Sequence, residues 1–159
     1  MFEEVCAREY SEPAFGAVHL LTVDTYALQH SEEHGPRSNA FHLLRLRHLL
    51  ELGASPALGK RPDRAAGKAL ERRYRGFPQL GAPRDRGALT VAGVYAARDA
   101  TEHEQRVLAW ARCVWEAYRA HHEWARATDA AVSAHRVESA APHGRRKQSD
   151  GRASRRRER

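Results

Sequence analysis

The stretch HLLTVDTYALQH, residues 19–30, sets an aspartate among leucines and closes each end with a histidine. With His19 at 0° and about 100° per residue, Leu20, Ala27, Ala17, Leu28 and Leu21 fall between about 80° and 200°. Asp24 falls at about 140°, in the middle of that apolar arc. An unpaired ionised carboxylate there costs several kcal/mol, comparable with the stability of a small domain, so it must be neutral, paired or bound to a cation. Three kinds of partner are available: Arg45 or Arg47 of the next helix, the N-terminus of another helix, or a metal shared with histidines.

His19, Val23, Tyr26 and His30 line one edge of the same helix, but at about 1.5 Å per residue the two histidines stand about 16 Å apart. Two ligands of one ion must approach within a few Å, so His19 and His30 do not share a metal. Any metal here takes one residue from this helix and the rest from others, where His42, His48, His103, His121 and His122 are in reserve. The candidate ligands are drawn from His19, His30 and His122, one of them from this helix, with Asp24, Tyr26 and Gln29 as supporting residues and a divalent metal such as zinc as the ion. Three histidines would leave one position for water, as catalytic zinc sites do. The pair in HSEEH, His30 and His34, has chelating spacing, but Gly35 follows at once and a fraying helix end explains it. Glycine-rich phosphate loops and a GxSxG elbow are absent from the sequence.

The elements that must position these residues read as helices. Ser11, Glu12 and Pro13 supply a start signal for a first helix running to about Glu33, where Gly35 and Pro36 stop it. Ser38 can cap a second, NAFHLLRLRHLLEL, ending at Gly53. A third fits DRAAGKALERRYR, and Thr90 can cap a short one through Ala97. Thr101 and Glu104 have capping-box spacing and open a long helix with Val107, Ala111, Val114, Trp115 and Tyr118 on one face. His121 and His122 point about 100° apart, so one of them faces the core with Tyr118. No strand periodicity stands out, and the fold class is all-α, an antiparallel bundle of about four main helices.

A chain of 159 residues, 42% hydrophobic and 30% charged, suits one globular core. No apolar run approaches the roughly 20 residues of a bilayer span, and MFEEVCAREY is acidic where a secretory signal is basic, so a cytoplasmic location is expected. Cys6 and Cys113 form no CxxC and read as reduced, partly buried thiols. The net charge of +7 is concentrated at the end: residues 144–159 carry eight basic and two acidic groups, leaving +1 for the rest. The chain therefore divides into a helical bundle, 1–132, and a disordered arginine-rich tail, 133–159. The tail's Arg145, Arg146, Arg155, Arg156 and Arg157 suit weak, salt-sensitive contact with nucleic acid. No membrane partner is expected, and a homodimer is open.

The runs AFGAVHLLTVDTYALQH, FPQL, DRGALTVAGVYAA and VLAWARCVWEAYRAHH, in that order, resemble an uncharacterised bacterial family catalogued as domain of unknown function 5946. The resemblance covers about residues 8 to 122, its most specific piece being H-x4-D-x-Y-x2-QH. His19, Asp24, Gln29 and His30 match that pattern, as do Pro78, Gly87, Trp110 and Trp115. It implies no activity. Three readings follow from the residues: a polar His/Asp site holding a divalent metal, hydrolase-like or thiol-transfer-like if catalytic; a non-enzymatic interaction module in which the same residues form a structural network; or weak nucleic-acid binding through the tail.

Overall fold

A computed structural model describes residues 1–53, 77–128 and 130. The helix expected from DRAAGKALERRYR, the tail 133–159 and the tail arginines lie outside the described residues. Those described are helical, with no strand among them, and no helix among them is long and apolar enough to cross a membrane.

The chain opens with a helix that its sequence does not advertise, α1 (Phe2–Ser11). Glu3 and Glu4 sit favourably in its first turn, but only Val5 and Glu9 are buried, so no apolar stripe announces it. The expected single helix from Ser11 to Glu33 is instead three pieces. Glu12 is extended, Pro13 opens the four-residue α2 (Pro13–Gly16), and α3 (His19–Gln29) begins after Val18 leaves helical geometry at ψ 4°. A 3-10 turn, Ser31–Glu33, completes the run, and His34 is extended, so His30 and His34 share no helical face. Gly16 lets α2 fold back on α1: a Cβ there would lie 2.9 Å from the Glu9 carbonyl oxygen.

The next helix, α4 (Pro36–Leu50), starts earlier than a Ser38 cap would place it. Pro36 takes the first helical position, where a missing N–H is harmless, and Gly35 becomes the cap. Ser38 is thereby drawn into the first turn and its hydroxyl faces His42. A short α5 (Val91–Tyr95) follows the loop 77–90, with Thr90 at the cap position but making no side-chain cap bond.

The capping box of the long helix lies two residues before the expected pair. Asp99 accepts from the Glu102 backbone N–H at 2.8 Å, and Glu102 reaches back to the Arg98 N–H at 2.9 Å. This opens α6 (Ala100–Ala117); a 3-10 turn, Arg119–His121, separates it from helical residues 122–128. Val107, Ala111, Val114, Trp115 and Tyr118 are buried, as their spacing predicts, and Trp110 is fully buried beside them.

The bundle is built by α3 lying between α4 and α6, with α1 laid across α3 and α5. Leu21 and Leu28 of α3, Leu43 and Leu46 of α4 and Val107, Trp110 and Val114 of α6 form its centre, all less than 2% exposed. Burying side chains of this size stabilises a fold by about 1.5–3 kcal/mol each.

Candidate functional site

Glu9 projects from α1 into the junction of α1, α3 and α6, with a side chain fully removed from solvent. Carboxylates are rarely buried so deeply without partners. Glu9 has three. Thr22 Oγ1 donates to Oε1 at 2.5 Å, His103 Nε2 lies 2.8 Å from the same oxygen, and His19 Nδ1 lies 2.8 Å from Oε2. Each comes from a different register: His19 and Thr22 sit one turn apart on α3, while His103 occupies the first turn of α6.

Cys6 stands one turn before Glu9 on α1, and its thiol joins the cluster: ligand atoms of Cys6, Glu9 and His19 all lie within 4.8 Å of one another. Burial, and then the negative charge of Glu9, push the Cys6 thiol up to about 11, so it is protonated at neutral pH. Cys6 and His19 are only partly buried, so the group borders solvent on one side and the bundle interior on the other. Tyr10 flanks it, its ring 4.2 Å from that of His19, and Phe15 meets His103 edge-on at 5.2 Å. His103 Nδ1 is buried with no partner among the described residues.

Asp24, fully buried, is met by α4. His42 Nδ1 lies 2.7 Å from Asp24 Oδ1, and Arg45 donates to the same oxygen. Of the three partners open to Asp24, the arginine pair is the one that forms, with Arg45 and with a histidine added. Asp24 Oδ2 has no partner among the described residues.

The remaining residues expected at a site are placed separately. His30 packs on Tyr26 at 4.3 Å, and Tyr26 stacks on Phe2 at 3.8 Å, fixing α1 to α3. His122 stacks on Trp115 at 3.8 Å, and its Nε2 lies 2.9 Å from the Trp115 carbonyl oxygen. His30 and His122 thus stand outside the group formed by Cys6, Glu9 and His19. Gln29 ties the loop to the core: its Nε2 donates to the carbonyls of Arg86 and Leu89 at 3.1 and 2.9 Å. The pairing of Glu9 with His103 carries no local signal, since 94 residues separate them. The Cys6–Glu9 spacing, one helical turn, was the only clue.

No curated protein and no solved structure matches the chain. A family model, described as a family of unknown function (DUF5946), matches residues 1–119. That span contains α1 through α6 and every residue of both polar clusters. The chain belongs to this family.

Proposed function

We propose that the protein binds a divalent transition metal through Cys6, Glu9 and His19, with His103 and Thr22 holding the Glu9 carboxylate in place. The reading rests on the mutual approach of the three ligand atoms within 4.8 Å. A thiolate, an imidazole and a carboxylate are donors that zinc and its neighbours accept, at about 2.3, 2.0 and 2.1 Å. Ligands on one tetrahedral ion sit about 3.4 Å apart, so the 2.8 Å between His19 Nδ1 and Glu9 Oε2 widens slightly when an ion replaces the shared proton. A cation also offsets the negative charge that Glu9 places beside the Cys6 thiol, and metal binding releases the thiol proton.

Three protein ligands leave a fourth position for water or a substrate thiol. A metal site of this kind supports hydrolysis or thiol transfer, by lowering the pKa of a bound water or thiol. Free Cys6 and Cys113 fit the reducing cytoplasm, where we place the protein.

One observation favours a second reading. Glu9 already makes three contacts to protein groups, a complete set for a purely structural network joining three helices. Cobalt(II) titration of the full chain with Cys113 replaced by alanine separates the two. Metal binding predicts a one-to-one endpoint with a thiolate-to-cobalt absorption band, lost in Cys6→Ser and His19→Ala while circular dichroism stays helical. A folded parent that gives no thiolate band overturns it and leaves the structural network.

A further inference from the structure

At the α3–α4 contact the residues around Asp24 form a second chemical unit, independent of the proposed metal site. Ser38 Oγ lies 3.1 Å from His42 Nε2, and His42 Nδ1 lies 2.7 Å from Asp24 Oδ1. The side chain of Asp24 is fully buried, that of His42 is 14% exposed, and Ser38 is partly exposed at the outer end of the chain. In the neutral tautomer whose Nδ1–H donates to Asp24, Nε2 accepts from the Ser38 hydroxyl. Arg45 also donates to Asp24 Oδ1, with its Nη2 3.2 Å from His42 Nδ1.

We infer that Ser38 is a nucleophile, activated by His42 as general base with Asp24 as its positioning residue, and that it accepts acyl groups from activated esters. The arrangement of hydroxyl, imidazole and buried carboxylate is that of acyl-transfer enzymes, reached here without their sequence motifs. Spacing explains how α4 supplies two members: Ser38 and His42 are one turn apart on a single face. Ser38 also lies in a first turn that no side chain caps. Gly35 makes no side-chain cap bond, Pro36 has no N–H, and the first backbone bond of the helix is from Asn39 to Gly35 at 3.1 Å. The N–H groups of Arg37 and Ser38 therefore have no partner within the helix and are donors for an oxyanion beside the Ser38 hydroxyl.

In the first step Ser38 Oγ bonds to the ester carbonyl carbon and its proton passes to His42 Nε2. The carbon–oxygen bond to the leaving group then breaks, and the departing alcohol or phenol takes that proton. In the second step water attacks the acyl carbon, giving a proton to His42 Nε2; Ser38 leaves and recovers it, so ester and water become acid and alcohol. Arg45 offsets part of the pull Asp24 exerts on a protonated His42, so slow turnover and an acyl-enzyme that accumulates are expected.

The test is reaction of the full chain with p-nitrophenyl acetate, read by p-nitrophenol release and by peptide mass mapping of the acetyl adduct. A single acetyl on Ser38, absent in Ser38→Ala and formed about a hundredfold more slowly in His42→Gln, supports the inference. Both variants alter partly exposed residues, and circular dichroism confirms their fold. No adduct on Ser38, or an adduct whose rate His42→Gln leaves unchanged, overturns it.

Discussion

Trp110 and Gln29 meet at the centre of the bundle: the indole Nε1 donates to Gln29 Oε1 at 3.0 Å, and neither side chain has more than slight exposure. The other end of the Gln29 amide holds the carbonyls of Arg86 and Leu89, so one side chain joins α3, α6 and the loop before α5. Arg86 returns a bond to the Gln29 carbonyl at 2.9 Å.

Replacing Gln29 by alanine strands a buried indole N–H and two loop carbonyls. We expect a loss of about 2–4 kcal/mol by urea denaturation. Trp110→Phe removes one of those bonds and should cost less, and the pair should be strongly non-additive in a double-mutant cycle.

Breaking the ion pair at Asp24 from the arginine side leaves a buried carboxylate with one neutral partner. Arg45→Met should destabilise the fold by about 3–5 kcal/mol, measured by thermal or urea unfolding. Asp24→Asn combined with Arg45→Met removes both charges and should recover part of that loss. If the single and double variants are equally unstable, the pair has no energetic role.

Gly87 has φ +87°, and a Cβ there would lie 2.5 Å from Cys113 Sγ. Gly87→Ala meets two separate penalties, backbone strain and a clash with the sulfur, together about 2–4 kcal/mol. Cys113→Gly in the Gly87→Ala background removes the clash but not the strain. Thermal unfolding should therefore show partial rescue, and full rescue would mean that the backbone conformation costs nothing.

Glu102 is held at about 2, well below the ordinary 4.5, first by the Arg98 side chain and backbone and then by Arg106. A carboxylate depressed in the folded state contributes stability above 4.5 that disappears as the pH falls toward 2. The melting temperature of Glu102→Gln should lie slightly below that of the parent at pH 7, and the gap should close between pH 4.5 and 2. A gap independent of pH would assign the effect to hydrogen bonding alone.

Much of this architecture can be read from the chain because its signals are local. The buried face of α6 follows from helical spacing, and the buried position of Asp24 follows from the leucines one turn to either side. An arginine of the next helix, Arg45 or Arg47, is among the partners a buried charge allows; that Arg45 takes the place, with His42 beside it, depends on how α3 and α4 pack. Helix starts were harder, since Asp99–Glu102 and Thr101–Glu104 share the same three-residue spacing and only the three-dimensional path of Arg98 decides between them. The Glu9 cluster lay beyond reach for a different reason. In α1 a glutamate flanked by Arg8 and Tyr10 resembles any solvated face, and its partners arrive from 10, 13 and 94 residues away.

The shared carboxylate of Glu9 makes the departure of α1 an all-or-none event. Peeling α1 from the bundle deprives Thr22, His19 and His103 of the same acceptor at once, so the first turns of α3 and α6 loosen with it. Amide hydrogens in these three stretches, distant along the chain, should exchange with a common opening free energy, and a ligand seated at Cys6 would slow all three together.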